Sequence, residues 1–140
     1  MPEVRRERGL LDTSVVIDLE RMDTASLPDE VAVSALTMAE LAAGPHATPD
    51  PEERARRQER LQRAEATFAA LPFDAGAARA YGRICAAIVA KGRKARGRRA
   101  IDLLIAATAI AEGLPLYTRN PDDFQGLTEL LDVRTIHASG

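Results

Sequence analysis

The chain has 140 residues, of which 46% are hydrophobic and 29% are charged, and its formal net charge is −2. This composition argues against a disordered chain and predicts one domain over residues 1–140, with flexible tails at 1–8 and 137–140. No apolar run approaches the ~18 residues of a membrane helix, and the charged start of the chain lacks an apolar signal region. We therefore expect a cytoplasmic protein. The net charge by itself does not predict nucleic-acid binding.

Short apolar segments alternate with helical patterns along the chain. In chain order, the predicted elements are a strand at 10–11, a helix at 15–21, a strand at 31–33, a helix opened by residues 37–40 and stopped at Gly44-Pro45, helices at 51–70, 75–91 and 99–112, and strands at 114–118 and 131–136. Residues 12–14 resemble a helix N-cap, and Thr37 with Glu40 fits a capping box. Strands that alternate with helices predict an α/β fold with a largely parallel sheet.

Three carboxylates stand in apolar surroundings. Asp12 follows a short apolar run. Glu40 is the only charged residue in 34–43, and Asp102 is the only charged residue in 100–107. An ionised carboxylate removed from water costs several kcal/mol unless a positive or hydrogen-bonding group compensates it. Three such residues in one small domain indicate a shared compensator, for which a divalent cation is a good candidate.

The predicted sheet would bring distant residues to one edge. Asp12 follows the first strand, whereas Thr118, Asn120 and Asp123 follow a late strand. In parallel sheets ligands bind beyond the carboxyl ends of the strands. Carboxylates around Mg²⁺ or Mn²⁺ suit phosphodiester hydrolysis, because the cation polarises the phosphoryl oxygen and lowers the pKa of water.

Each acid also has an interpretation that needs no ligand. Asp12 could simply cap the first helix, and Glu40 could be the acidic partner of Thr37 in the capping box. Asp102 could be an ordinary acid favoured by the helix dipole, or the partner of a neighbouring arginine. The joint occurrence of the three in apolar contexts favours the cation site over these separate explanations.

Four segments, taken together, resemble a PIN domain. They are Leu11–Val15 (LDTSV), Ser34–Leu41 (SALTMAEL), Asp102–Ala109 (DLLIAATA) and Leu116–Phe124 (LYTRNPDDF). Their order and spacing are most similar to those of VapC-type ribonuclease toxins of prokaryotic toxin–antitoxin pairs. The resemblance covers nearly the whole chain.

The resemblance implies a three-layer α/β/α sandwich, dependence on Mg²⁺ or Mn²⁺, and endonucleolytic cleavage of RNA. It assigns metal binding and catalysis to Asp12, Glu40 and Asp102. The family often has a further acid where Asn120 stands in this chain. Asp123 is nearby and could supply that charge, or the Asn120 side chain could act in its place.

Two hydroxyls near the acids are expected to support them. Thr13 and Thr118 could orient the carboxylates or a water molecule. Asp18 and Glu20 are interpreted as solvated helix acids. The expected reaction is metal-assisted hydrolysis without a covalent enzyme intermediate.

A basic segment precedes the Asp102 helix. Residues 91–99 contain no acid, and their basic members are Lys91, Arg93, Lys94, Arg96, Arg98 and Arg99. Such groups can bind RNA phosphates with salt-sensitive, largely sequence-independent affinity and would lead a strand towards Asp102. The alternative is a solvated loop without a ligand.

The resemblance also implies a homodimer and a cognate VapB-type antitoxin whose C-terminal segment covers the site. Leu61 and Phe68 in the 51–70 helix, with Leu71 beside it, could form a groove with the first helix. Alternatively, these residues pack on their own core.

Two other classes of function compete with a metal-dependent ribonuclease. One is a PIN-like regulatory or scaffold domain that binds RNA or protein without cleaving. Asn120 favours this interpretation because the family often has an acid at that position. The other is a phosphate-transfer domain, such as a receiver or a haloacid-dehalogenase-like phosphatase, with Asp12 as nucleophile. The latter is disfavoured because Ser14 stands where such phosphatases have a second Asp.

Overall fold

A computed structural model describes residues 7–92 and 98–138, without the side chains of Arg98 and Arg99. The tails predicted at 1–8 and 137–140 fall largely outside these ranges. Of their described residues, Arg8 begins the first strand and Ala138 forms an isolated bridge with Met22. No helix in the described ranges is long and apolar enough to cross a membrane.

Strands and helices alternate along the chain, as predicted. The strands are β1 (Arg8–Leu11), β2 (Glu30–Ser34), β3 (Ala70–Leu71), β4 (Leu116–Thr118) and β5 (Val133–Thr135). The α-helices are α1 (Thr13–Ile17), α2 (Ala35–Ala43), α3 (Pro51–Thr67), α4 (Ala75–Ala90) and α5 (Arg98–Glu112). Short 3₁₀ helices span Leu19–Arg21, Thr24–Ser26, Gly44–Ala47 and Pro121–Phe124.

The five strands form one parallel sheet in the order β3-β2-β1-β4-β5. The chain builds outward from β1 on one side and then returns to add β4 and β5 on the other. The direction of construction therefore reverses between β1 and β4. In open parallel sheets such a reversal leaves a crevice outside the carboxyl ends of the strands, where ligands bind.

The sheet separates two apolar clusters. Leu10 and Leu116 belong to one cluster, which includes the inner faces of α4 and α5. Leu11 and Tyr117 belong to the other, with residues of α1, α2 and α3. Successive strand residues point to opposite faces, so both faces of the sheet are covered. The three-layer α/β/α sandwich is confirmed.

The predicted capping box in α2 is wrong. The helix begins at Ala35, because the Ser34 hydroxyl oxygen accepts a hydrogen bond from the Thr37 amide at 3.1 Å and so acts as the N-cap. Thr37 is fully buried inside the helix. Glu40 consequently lies in the second turn of α2, where its carboxylate does not cap the helix.

Other boundaries differ because the predicted elements were too long. The helix predicted at 15–21 divides into α1 and a 3₁₀ turn, and the helix predicted at 51–70 ends at Thr67. The latter ending frees Ala70–Leu71 to form β3, a strand that the sequence pattern does not predict. A two-residue strand is too short to show the alternation by which strands are predicted.

Gly9 allows β1 and β4 to approach closely. A Cβ atom at this position would lie 2.3 Å from a ring carbon of Tyr117. The Tyr117 ring is buried, so it has little room to move away. The absence of a side chain at Gly9 is therefore required by the pairing that positions the carboxyl ends of β1 and β4.

Candidate active site

A cleft of about 550 Å³ opens at the carboxyl ends of β1 and β4. Asp12, Glu40 and Asp102 line it together, although they lie on different segments of the chain. The other lining residues are Thr13, Ser14, Ile17, Arg119, Asn120, Pro121, Asp122 and Asp123. The structure thus brings the three predicted metal-binding acids to one cavity.

Asp12 is the most deeply buried charged group of the cleft, with 4% of its surface exposed. Its Oδ1 accepts hydrogen bonds from the Ser14 hydroxyl at 2.5 Å and the Val15 amide at 3.2 Å. Its Oδ2 accepts one from the Thr118 hydroxyl at 2.5 Å. Burial raises the pKa of Asp12 above its ordinary value, and these hydrogen bonds oppose the rise. Asp12 therefore caps α1 and also presents a carboxylate to the cleft.

Glu40 is held by a threonine from another helix. The Thr13 hydroxyl donates to Glu40 Oε1 at 2.5 Å and lies 3.1 Å from the Thr37 hydroxyl. Thr13 and Thr118, the two hydroxyl residues expected to support the acids, therefore each contact one of them. These contacts restrict the carboxylates to orientations towards the cleft.

The remaining acids border the cleft from α5 and from the loop after β4. Asp102 lies in the second turn of α5 and is half-buried. Asp123 is half-buried, and its amide donates to the Asn120 carbonyl at 3.1 Å. Asn120 is exposed, and its amide donates to the Thr118 hydroxyl at 2.9 Å. Asp122, for which the sequence suggests no role, also lines the cleft.

The donor chemistry of the cleft fits a hard divalent cation, since the acids present carboxylate oxygens. Within the described residues, no salt bridge joins Asp12 or Glu40 to a lysine or arginine. No three acidic, histidine or cysteine side chains of the described ranges are gathered as a ready-made ligand cluster. Mg²⁺ usually keeps several waters and needs only one or two direct carboxylates. Asp12, Glu40 and Asp102 can therefore hold such an ion partly through water.

The basic segment is only partly described. Lys91 is exposed, and its Nζ donates to the Gly126 carbonyl at 2.9 Å. Arg98 and Arg99 begin α5, but their side chains lie outside the description. Arg93, Lys94 and Arg96 lie outside the described residues altogether.

Asp18 and Glu20 behave differently from each other. Glu20 is exposed and forms an ion pair with Arg63. Asp18 was interpreted as a solvated acid, but its side chain is only 29% exposed and pairs with Arg119. The residues that meet in this pair are 101 positions apart in sequence, so no local pattern could have revealed it.

A groove of about 400 Å³ lies between the α1 end and α3. Phe68 and Ala64 form part of its apolar wall, and arginines of α3 border it. A groove therefore lies between the first helix and the 51–70 helix, but of the three apolar residues predicted to form it only Phe68 lines it. Leu61 and Phe68 pack, half-buried, against the core cluster of α1 and α3, and Leu71 packs against the other cluster, as the alternative interpretation expected.

Comparisons with known proteins agree with this architecture. The PIN domain family model matches residues 9–130. Ribonuclease VapC5 of Mycobacterium tuberculosis is 38% identical over 91% of this chain and 93% of that protein. Ribonuclease VapC of Rickettsia bellii is 31% identical over 86% of this chain and 91% of that protein.

Solved structures agree as well. The toxin–antitoxin structure VapBC-5 from Mycobacterium tuberculosis has a TM-score of 0.79 at 37% identity, covering 94% of this chain and 98% of that one. FitAcB from Neisseria gonorrhoeae has a TM-score of 0.67 at 28% identity, covering 89% of this chain and 95% of that one. The family model, the curated relatives and the shared fold together show that this chain belongs to the PIN-domain family, among the VapC ribonucleases.

Proposed function

We infer that this chain is an endoribonuclease that hydrolyses RNA phosphodiester bonds as the toxin of a toxin–antitoxin pair. The observation that carries this inference is that acids from the end of β1, from α2 and α5 and from the loop after β4 line a single cleft, the first of them being Asp12, which directly follows β1. The family membership supports the same activity, because the curated relatives are ribonucleases. The chain would act as a single domain in the cytoplasm, where its RNA substrate is found.

We propose Mg²⁺ or Mn²⁺ as the cofactor, held by Asp12, Glu40 and Asp102. When bound, the cation supplies Lewis-acid polarisation of the scissile phosphate and lowers the pKa of water. Ser14 and Thr118 hold the Asp12 carboxylate, and Thr13 holds that of Glu40. These contacts keep the acids oriented before substrate arrives, so less reorganisation is needed during the reaction.

Asp123 is proposed as the fourth catalytic acid. It borders the cleft on the side of the loop after β4, near the place of the acid that Asn120 replaces. Asn120 would contribute a carbonyl or amide to the same side, as a neutral partner of Asp123. The two residues are linked by the backbone hydrogen bond within the 3₁₀ turn.

We propose that the partners are an RNA substrate, a second copy of this chain and a VapB-type antitoxin. Several structural relatives were solved as VapBC assemblies. The groove between the α1 end and α3 is proposed as a docking surface for the antitoxin, because it combines an apolar wall with arginines. The basic residues of 91–99 are proposed to bind RNA phosphates.

The test compares two aspartates that both cap a short helix. Asp12→Asn removes the buried charge of the cleft, whereas Asp23→Asn alters an exposed cap whose oxygen accepts from the Ala25 amide at 3.0 Å. Asp12→Asn should lower RNA cleavage by about 10³-fold or more, because loss of several kcal/mol of charge stabilisation is expected. Asp23→Asn should cleave as the wild type does.

Cleavage of a structured RNA is measured with Mg²⁺, with Mn²⁺ and with EDTA. Activity with either ion, and its loss in EDTA, is the expected outcome. If the Asp12→Asn variant cleaves RNA at the wild-type rate, the site is assigned wrongly. RNA binding by the wild type without any cleavage would instead favour a scaffold domain.

A further inference from the structure

Arg119 differs from every other charged residue that lines the cleft. Among the described lining residues it is the one basic side chain, whereas the other charged side chains are acidic. It is 35% exposed and pairs through Nη1 with Asp18. Within the described ranges no other group accepts a hydrogen bond from its guanidinium. The guanidinium therefore keeps donors available for a further anion.

The backbone of Arg119 is positioned by the same groups that hold Asp12. Its amide donates to the Ser14 hydroxyl oxygen at 3.4 Å, and Ser14 in turn donates to Asp12 at 2.5 Å. Thr118, the residue before Arg119, donates a hydrogen bond to Asp12 and accepts one from the amide of Asn120, the residue after Arg119. A change in the position of Arg119 would therefore require a change around Asp12.

We propose that Arg119 binds a phosphate of the RNA strand beside the acids of the cleft, and that Asp18 is a positioning residue that holds its guanidinium at the cleft edge. This proposal rests on the proposed ribonuclease function. An RNA strand is a polyanion, and a cleft lined by acids repels it unless a cation offsets the repulsion. Arginine suits this task because its planar fork can bind a carboxylate and a phosphate at the same time.

Substitutions of Asp18 and Arg119 distinguish phosphate binding by Arg119 from a purely structural role of the pair. Asp18 competes with the RNA phosphate for the charge of Arg119. Loss of the Asp18 charge should therefore strengthen RNA binding, while loss of the Arg119 charge should weaken it. A brace that only joins the α1 end to the end of β4 would respond in the same direction to both changes.

The experiment measures binding and cleavage of a fluorescent RNA hairpin with single-stranded flanks, from about 50 to about 200 mM KCl. Arg119→Gln should raise the Kd and the KM about tenfold and reduce the salt slope by about one. Arg119→Lys should retain the slope and recover part of the affinity. Asp18→Asn should lower the Kd about two- to threefold at low salt, and it should reduce kcat because the guanidinium is no longer held in place.

Arg134 provides a matched control. Its side chain is 39% exposed and pairs with Asp132, but it does not line the cleft. Arg134→Gln should leave the Kd, the KM and the salt slope at their wild-type values. Thermal unfolding of each variant shows how much of any change is a loss of stability.

The proposal is overturned if Arg119→Gln keeps the wild-type Kd and salt slope. It is also overturned if Asp18→Asn weakens binding as Arg119→Gln does. If the wild type binds the hairpin but does not cleave it, the proposed ribonuclease function fails, and the binding data alone still decide the role of Arg119.

Discussion

Two cavities, the cleft and the groove, share Ile17 in their linings but hold their acidic side chains in different ways. In the cleft, the buried Asp12 carboxylate is met by hydroxyls and a backbone amide. In the groove, Glu20 is met by Arg63, and both side chains are more than half exposed. Glu20 is therefore paired with an arginine of the same groove, whereas, among the described residues, Asp12 is met only by uncharged donors, and it is this charge that the proposed cation would offset. Buried acids with perturbed pKa values are typical of catalytic sites, whereas exposed ion pairs such as Glu20–Arg63 are typical of ordinary protein surfaces.

Among substitutions that leave the acids of the cleft in place, the largest effect on cleavage is expected at Thr118. Thr118→Val removes the hydrogen bond to Asp12 and the acceptor for the Asn120 amide. Cleavage should fall about 10- to 100-fold, as is typical when a group that orients a metal ligand is lost. Thr108→Val is the control, because Thr108 is equally buried but its hydroxyl bonds only the Leu104 carbonyl within α5. Initial cleavage rates at saturating Mn²⁺ decide the matter, and equal rates for the two variants would contradict the prediction.

A smaller loss is expected at Thr13. Thr13→Val removes the donor to Glu40 Oε1, and cleavage should fall about tenfold. The loss is smaller than at Thr118 because Glu40 is half-buried and water can replace the hydroxyl. Thr13→Ser retains the donor and should recover most of the activity. Single-turnover kinetics measure both variants, and failure of Ser to improve on Val would assign the effect to packing.

The charge of Asp12 should reduce stability when no metal is bound. Because burial raises the pKa of Asp12, its contribution to stability is fully present below the unfolded value of about 3.9 and is lost as the pH rises through the folded value. In EDTA, Asp12→Asn should therefore be more stable than the wild type at neutral pH by about 1 kcal/mol.

Urea unfolding across this pH range in EDTA measures that difference, which should grow with pH and then level off. Addition of Mn²⁺ should stabilise the wild type more than Asp12→Asn, since only the wild type keeps the full set of acids. A variant that is less stable than the wild type at every pH would show that the hydroxyls compensate the charge completely.

The smallest effect is expected in the groove. Glu20→Gln breaks an exposed ion pair and should change the free energy of unfolding by no more than about 0.5 kcal/mol. Cleavage should be unchanged. Urea unfolding at two salt concentrations tests this, and a loss well above 1 kcal/mol would mean that the groove depends on its charges as the cleft does.

Local patterns were sufficient for most of the secondary structure. The periodicity of α3, α4 and α5 extends over several turns, so these helices were predicted nearly to their observed ends. The start of α2 was predicted wrongly because Ser34 and Thr37 are both residue types that can cap a helix. The structure shows that β2 ends at Ser34, so the helix begins directly after it. Nothing local distinguished β3, whose two residues become a strand only by pairing with β2.

The acids of the cleft are visible in the sequence because a charged residue in an apolar segment is conspicuous wherever it occurs. Asp12, Glu40 and Asp102 can therefore be named from the order of residues alone, as can the threonines that contact two of them. Their assembly in one cleft follows from parallel strands whose carboxyl ends share an edge. The hydrogen bond from the Arg119 amide to Ser14 and the pairing of Asp18 with Arg119 cannot be recognised in this way, because they depend on which segments the folded sheet places side by side.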